Sequence, residues 1–319
     1  MSAISELTSL RRDKSGSSPE DRRMRAKEAG RDNKAGYLFL LPWLVGLVVI
    51  TIGPLLASLY LSFTDYSLIQ APTWTGLDNY ARMLEDPRLH NSLRVTFTYV
   101  FVSVPIQLAL ALAIALLLDR GMRGLPLYRS VFYLPSMLGS SVAIAILWRQ
   151  MFGTSGLVNQ VLALVGVEST TGWISDPDTA LWTIVLLHVW TFGSPMIIFL
   201  AGLRQIPRMY YEAASVDGAG RWRSFVQITL PLLSPIIFFN LVLQVIGAFQ
   251  SFTQAFVVSN GTGGPSDSTL FYTLYLYQRG FTDFQMGYAS AMAWLLVIIV
   301  GVLTALNFFL SRYWVFYDE

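Results

Sequence analysis

Six long stretches without a charged residue constrain this chain more than any other feature of its sequence. A helix needs about 20 apolar residues to cross the ~30 Å hydrocarbon core of a bilayer, and each stretch has roughly that length or more. Helices can cross a membrane because they satisfy their own backbone hydrogen bonds. We therefore predict an all-α integral membrane protein with six transmembrane helices. The predicted spans are 36–63, 95–118, 130–148, 180–203, 232–258 and 284–311.

The composition agrees with this fold class. Hydrophobic residues make up 54% of the chain and charged residues only 13%, whereas about a quarter of the residues of a soluble domain are charged. The first 35 residues are a polar tail with no apolar core, so no cleaved signal peptide is expected. We predict two regions, a tail over 1–35 and a transmembrane domain over 36–319.

The distribution of basic residues predicts the orientation. Lysine and arginine concentrate on the cytoplasmic side of membrane proteins. The tail carries nine of the 22 basic residues, and the loops on the same side carry most of the others. We therefore predict that both termini are cytoplasmic, together with the loop between the fourth and fifth spans at about 204–231.

Several functions are excluded by what the sequence lacks. It has no cysteine, so disulfides and thiolate sites are impossible, and it has no basic stripe outside the tail that would favour nucleic acid. Neither a phosphate-binding loop nor a His-Glu-x-x-His zinc motif occurs. Only His188 is titratable within the spans, and a lone histidine there more often bonds a neighbouring helix than relays protons. We predict no catalytic residue, no metal and no cofactor in this chain.

The loop at 204–231 has a distinctive pattern. Residues 212–214 favour helix, whereas Gly218 and Gly220 can adopt the backbone conformations that end one. We predict a short surface helix, a glycine turn and a second helix that re-enters the membrane. An ordinary amphipathic connector with an Asp-Gly turn is the simpler alternative.

The spacing of this pattern resembles the EAA loop of permease subunits in binding-protein-dependent ABC importers. The matching residues are Glu212-Ala213-Ala214, Asp217-Gly218-Ala219 and Ile228-Thr229-Leu230-Pro231. The resemblance implies a cytoplasmic coupling helix between the fourth and fifth spans, which docks into a groove on an ATP-hydrolysing subunit. It further implies that Glu212 pairs with a basic residue of that groove and that Gly218 shapes the turn. Segments at 40–42, 76–80, 86–87, 128–135 and 263–265 resemble the same family.

Uncharged polar residues and phenylalanines alternate along the fifth span. Asn240, Gln250 and Gln254 fall at spacings that can place them on one helical face. Amides and hydroxyls beside aromatic rings suit a neutral polyol such as a sugar. The alternative is that this face packs against other helices, because small and amide residues also join helices in bilayers. The sequence alone leaves both interpretations open.

The resemblance to maltose-type permeases favours a substrate cavity. In that family the cavity is lined by the fifth span just before a Gly-Gly-Pro loop and by the fourth span before the coupling loop. The corresponding residues here are Phe249, Gln250, Thr253 and Gln254 in the fifth span, and Phe192, Gly193 and Ser194 in the fourth. The particular sugar stays open.

We therefore interpret the chain as one permease subunit of an ABC sugar importer in the cytoplasmic membrane of a bacterium or archaeon. The resemblance implies a second permease subunit, an ATPase dimer that binds ATP and magnesium, and an extracytoplasmic sugar-binding protein, all acting in membrane lipid by alternating access. A stand-alone secondary transporter of a small neutral solute is the main alternative. A membrane scaffold that transports nothing is the third.

Overall fold

The computed structural model describes residues 37, 39–121, 124–167 and 171–316. The predicted tail at 1–35 lies outside the described residues. Contacts divide the chain into one unit over Met1–Tyr60 and a second over Leu61–Glu319. The helices are α1 Phe39–Ser62, α2 Asp78–Glu85, α3 Pro87–Asp119, α4 Leu125–Leu138, α5 Val142–Met151, α6 Leu157–Leu164, α7 Pro177–Trp190, α8 Gly193–Leu203, α9 Arg208–Val216, α10 Arg221–Ser224, α11 Leu230–Phe249, α12 Thr253–Val258, α13 Tyr272–Tyr277 and α14 Met286–Trp314.

Five of the six predicted spans are found as long helical runs, and the third is a sharply bent pair of helices. Within the described residues, five helical runs are long and apolar enough to cross a membrane: Phe39–Ser62, Pro87–Asp119, Pro177–Leu203, Arg221–Val258 and Met286–Trp314. The predicted third span is not one straight helix, because α4 and α5 meet at 93°. Ser141 begins α5 as its N-cap by accepting a hydrogen bond from the Ile144 amide. The all-α membrane fold is confirmed, with five candidate spans among the described residues and a sixth if the bent pair is one span.

The α3 helix is central to the second unit. It packs against α7, α8 and α11. Ala111 and Ala115 on α3 are fully buried, and such small residues let neighbouring helices approach closely in a bilayer. Met196 and Phe199 of α8 belong to the same buried cluster.

Two spans contain a turn of π-helix just before a proline. The turn Leu47–Ile52 precedes Pro54, and the turn Phe225–Thr229 precedes Pro231. Proline has no amide hydrogen to donate to the carbonyl one helical turn earlier. The neighbouring amides bond one residue further back instead, as that of Leu230 does to Phe225. This shift lets the helix continue through the proline.

A two-stranded antiparallel ribbon follows α1, with β1 at Thr64–Asp65 and β2 at Thr73–Trp74. The Asn79 side chain of α2 donates to the carbonyls of Ser62 and Thr64 at 3.0 and 2.9 Å. The Gly287 amide at the start of α14 donates to Tyr66. The ribbon therefore lies at the end of the spans opposite residues 204–231. We call that end the far end, and the end that carries residues 204–231 the loop end.

Candidate functional site

The loop end carries the predicted surface helix, α9, and its glycine turn. The Ala219 amide donates to the Ala214 carbonyl at 2.8 Å, and the Gly218 amide donates to Ser215 at 3.1 Å. This pair of bonds forms a Schellman motif, which needs a left-handed residue after the helix. Gly218 fills that position with φ +73°. The sequence elements therefore form the predicted helix and turn.

One face of α9 is held and the opposite face is exposed. The Tyr211 hydroxyl lies 3.0 Å from the Thr229 hydroxyl in the segment that enters the fifth span. One turn further along, Ala214 is half-buried on the same side. Glu212, Ala213 and Val216 are exposed on the other side, and Val216 is 88% exposed. This exposed face is therefore accessible to a partner.

Charged groups fix the start of this loop and leave its acidic residues available. Arg204 pairs with Asp119 at the end of α3 across 3.6 Å. Among the described residues, neither Glu212 nor Asp217 forms an ion pair. A partner that presents a basic residue therefore meets a free carboxylate at Glu212.

A second candidate site lies where three helical spans are interrupted. The third span breaks at residues 139–141, the fourth at 191–192 and the fifth at 250–252. The Gln254 side chain donates to the Gly139 carbonyl at 3.2 Å. The Ser136 hydroxyl donates to the Thr191 carbonyl at 2.8 Å. We call the place where these three breaks meet the junction.

Close packing holds the junction together. A Cβ at Gly139 would overlap Thr191, and a Cβ at Gly193 would overlap the backbone of Phe132. Both positions therefore need glycine. The Gln107 amide of α3 donates to the Thr191 carbonyl at 3.1 Å, which satisfies a group that the broken helix leaves unpaired.

The structure brings most of the predicted cavity residues to the junction. Gln250 and Ser194 are exposed, and Phe192, Thr253 and Gln254 are half-buried. The Ser194 amide donates to the Ser136 hydroxyl at 2.8 Å. Polar groups without charge and aromatic rings therefore lie side by side, which suits a ligand that has hydroxyl groups and apolar faces.

Three residues that were predicted to line the cavity are instead buried in packing contacts. Phe249 is 1% exposed and packs edge-on against Phe97 with 5.1 Å between ring centroids, while Gly193 is buried in the packing contact already described. Asn240 is fully buried, and its amide donates to the Ile236 carbonyl of its own helix. The expectation of one continuous polar face is wrong, because α11 ends at Phe249 and α12 begins only at Thr253.

Four residues of the junction were not predicted from the sequence. These are Gln107, Ser136, Gly139 and Thr191. A signal was present, because residues 139–141 read Gly-Ser-Ser within an apolar stretch. Glycine and serine pairs often interrupt helices. Gln107 was the only amide in the predicted second span, but its partner is 84 positions away and no local pattern reveals it.

At the far end, Asp86 is the centre of a buried hydrogen-bond network. It is 8% exposed and begins α3 as its N-cap by accepting from the Leu89 amide at 3.2 Å. The hydroxyls of Tyr275 and Tyr288 donate to it at 2.6 and 2.8 Å, and Arg279 lies 3.7 Å away. Burial raises the pKa of the Asp86 carboxyl, but these hydrogen bonds outweigh burial and hold the pKa below its ordinary value.

A second ion pair extends the far-end network. Two guanidinium nitrogens of Arg88, Nε and Nη2, donate to Asp267 at 2.8 Å, a paired geometry that is stronger than a single contact. Asp267 belongs to the loop that follows the fifth span, just after Gly264-Pro265. Burial and the bond to Asp86 raise the pKa of Tyr275 to about 12. The start of α3, the loop after α12 and α13 are thus joined at one point.

Broken helices that meet at a polar point between spans are a recurring feature of one class, the membrane transport proteins. A surface helix such as α9 is expected of a transporter whose energy comes from a separate ATP-hydrolysing subunit. The family model described as "Binding-protein-dependent transport system inner membrane component" matches residues 81–315. The chain belongs to this family, and it is a multi-pass inner membrane permease component. The prediction of a transport subunit rather than an enzyme is confirmed.

Individual relatives agree with this family assignment, and a solved structure agrees with the fold. The chain is 52% identical over 94% of its length to the probable ABC transporter permease protein YesP of Bacillus subtilis (strain 168), covering 97% of that protein. It is 35% identical over 87% of its length to the lactose transport system permease protein LacF of Rhizobium radiobacter, covering 94% of that protein. The fold matches a chain of a bacterial alginate ABC transporter, solved with a periplasmic protein that binds an alginate pentasaccharide. That match has a TM-score of 0.76 and 21% identity, and it covers 90% of this chain and 96% of the other.

Proposed function

We propose that this permease carries a sugar or oligosaccharide inward and that the junction of the three broken spans contacts it. The junction is the observation that supports this proposal. It offers the side chains of Gln250 and Thr253, the Ser194 hydroxyl and the Phe192 ring, with no charged side chain among them. A neutral polyol needs many hydrogen-bond partners and apolar surfaces for its ring faces. LacF is named for lactose transport, which is the same chemical class.

The power is supplied by another subunit. The sequence has no phosphate-binding loop, so an ATPase dimer binds ATP and magnesium. Its groove receives α9, and Glu212 pairs there with a basic residue. A second permease subunit completes the cavity on the exposed side of Gln250 and Ser194. An extracytoplasmic binding protein delivers the sugar at the far end, with both termini of this chain in the cytoplasm.

The coupling follows from the contacts of α9. Tyr211 bonds Thr229 at 3.0 Å, and Arg204 pairs with Asp119 at 3.6 Å. A displacement of α9 is therefore transmitted to the ends of α3 and the fifth span. Both spans reach the junction, through Gln107 and Gln250. ATP binding shifts the equilibrium only if the two states differ in their contacts with the ATPase, and α9 supplies such a contact.

Reconstitution tests the proposal. The chain is purified with the second permease and the ATPase, placed in vesicles and supplied with binding protein. Uptake of labelled lactose and of longer neutral oligosaccharides is then measured with and without ATP on the side of the membrane that carries the ATPase. We expect uptake of at least one of these sugars that requires both ATP and binding protein. ATP-dependent uptake of amino acids but of no sugar would contradict the substrate class.

A further inference from the structure

A large cavity lies beside α9 at the loop end, away from both the junction and the exposed face of α9. Its volume is about 820 Å³, within the range of small-molecule sites. The end of α3, the end of α8, α9 and the segment that enters the fifth span form its walls. Ala219 of the turn and three residues of the coupling contacts, Asp119, Tyr211 and Thr229, line it, whereas no residue of the junction does.

The walls have two chemical parts. Leu116, Leu203 and Phe225 supply an apolar surface that belongs to the spans, and Arg120 and Arg221 supply positive charge at the rim. Among the described residues, neither of these arginines forms an ion pair. The acidic group of the rim, Asp119, already has a partner in Arg204. The cavity is thus apolar on the membrane side and carries excess positive charge at its mouth.

The position of the cavity places it at a membrane interface. Trp222 lines it and is 75% exposed, and its ring lies tilted against Phe225 with 5.6 Å between ring centroids. Exposed tryptophan at the end of a span is typical of the headgroup region. Basic pockets between spans at this level bind anionic headgroups.

The cavity and the exposed face lie on different sides of α9. Tyr211 and Ser215 line the cavity, whereas Glu212 and Val216 belong to the exposed face. Tyr211 directly precedes Glu212, and Ser215 directly precedes Val216. Consecutive residues of a helix are rotated by about 100° around its axis. A molecule in the cavity therefore contacts α9 without occupying the surface offered to an ATPase.

We propose that this cavity binds a glycerophospholipid with an anionic headgroup. The anionic headgroup, including its phosphate, lies between Arg120 and Arg221. The acyl chains follow Leu116 and Leu203 into the bilayer. The bound lipid packs Tyr211 and Ser215 against the end of α3, so it stabilises the position of α9. Lipid composition then affects transport whichever solute the permease carries.

Native mass spectrometry of the assembled transporter, released from lipid nanodiscs, tests this site. Phosphatidylglycerol and phosphatidylcholine are titrated separately. We expect one tight phosphatidylglycerol per chain and weaker phosphatidylcholine. The double variant Arg120→Gln/Arg221→Gln should weaken phosphatidylglycerol binding by about thirtyfold, because each basic residue near an anionic surface contributes about 1 kcal/mol.

A matched pair of exposed arginines provides the control. Arg208→Gln/Arg223→Gln removes the same charge at the same end of the molecule, but neither residue lines the cavity, so binding should be unchanged. Equal losses in both double variants would show diffuse surface charge and overturn the site. Equal binding of the two lipids by the unaltered transporter would also overturn it.

Two further arms complete the test. Leu116→Trp fills the apolar part of the cavity without changing any charge, so it should also weaken phosphatidylglycerol binding, and it decides the matter if the arginine variant does not assemble. Unchanged lipid binding in Leu116→Trp would contradict the proposal. Inorganic phosphate in excess should not displace the lipid, because the apolar wall contributes to binding. Full displacement by phosphate would show a simple anion site instead.

Discussion

At the scale of single residues, the sign of one backbone angle separates two glycines of the loop that follows α9. Gly218 has φ +73° and Gly220 has φ −69°, and a Cβ at either position would meet no atom within 4 Å. Crowding is therefore the same for both, and only the backbone conformation differs. A β-branched residue is strongly disfavoured at positive φ.

We predict that Gly218→Val uncouples ATP hydrolysis from uptake. The left-handed conformation costs a β-branched residue roughly 1–3 kcal/mol, so the turn after α9 would rearrange. The variant should insert and assemble, while ATP-driven sugar uptake falls strongly. The measurement is uptake per ATP hydrolysed in vesicles. Gly220→Val is the control and should be normal, because its φ suits any residue; normal coupling in Gly218→Val would refute the role of the turn.

A second residue-scale prediction concerns the junction. Gln250→Ala and Thr253→Ala remove polar groups that face the proposed sugar, so each should raise the concentration of sugar needed for half-maximal uptake. One lost hydrogen bond corresponds to about 1 kcal/mol, or about fivefold. Gln244→Ala is the control, since Gln244 lies in the same span but away from the junction. Equal effects in Gln244→Ala and Gln250→Ala would remove the junction from the substrate path.

At the scale of elements, the junction is formed by interruptions in the helices rather than by their lengths. The α4–α5 bend, the α7–α8 break and the α11–α12 break each expose backbone groups, and the α4–α5 bend contacts the other two places. Broken helices at membrane depth are tolerated only where protein or a polar cavity satisfies their backbone. The contacts from Gln107, Ser136 and Gln254 satisfy those groups at the junction.

We predict that Gly139→Ala disturbs this element contact. The added methyl group would overlap Thr191 and lie 2.9 Å from the Pro135 carbonyl, and such overpacking costs about 1–3 kcal/mol. The variant should lower both the thermal stability of the purified transporter and its uptake. Gly247→Ala adds the same group in open space and should be neutral. The idea fails if the two variants melt at the same temperature.

At the scale of the whole molecule, the far-end network connects segments that are distant in sequence. Asp86 bonds residues 189 and 202 positions away, and Arg88 bonds Asp267 at a separation of 179. A single buried carboxylate therefore joins the start of α3 to α13 and α14. Its charge is satisfied by two hydroxyls, backbone amides and Arg279, which is the condition for a buried charge to be tolerated.

We predict that Asp86→Asn destabilises the molecule by about 1–3 kcal/mol at neutral pH, because the buried donors lose a charged acceptor. The folded pKa of Asp86 lies below its ordinary value of 3.8. Its stabilising contribution is therefore present above 3.8 and is lost as the pH falls through the folded pKa. Thermal melts should show a gap between variant and wild type that closes in acid. The control is Asp78→Asn, at an exposed position, which should melt at the same temperature as the wild type at either pH. A difference in melting temperature for Asp86→Asn that persists in acid would rule out charge as its cause.

The orientation is also a whole-molecule property, and the absence of cysteine makes it easy to test. Ser215→Cys places one thiol on α9, and Ser155→Cys places one between α5 and α6; both positions are exposed. We predict that a membrane-impermeant maleimide labels Cys at position 155 in intact cells. Labelling at position 215 should require permeabilised membranes. The reverse pattern would place α9 outside and exclude its coupling role.

The class of fold and the form of α9 were both predictable from local sequence. Long uncharged stretches require spanning helices because a bilayer core offers no hydrogen bonds, and the helix and turn at 208–220 follow from local backbone preferences. The tertiary structure alone decided the junction, the far-end network and the cavity beside α9. Gln107 and Thr191, Asp86 and Tyr288, and Arg120 and Arg221 meet only after the chain has folded. Such contacts depend on packing between distant segments, and no local periodicity encodes their partners.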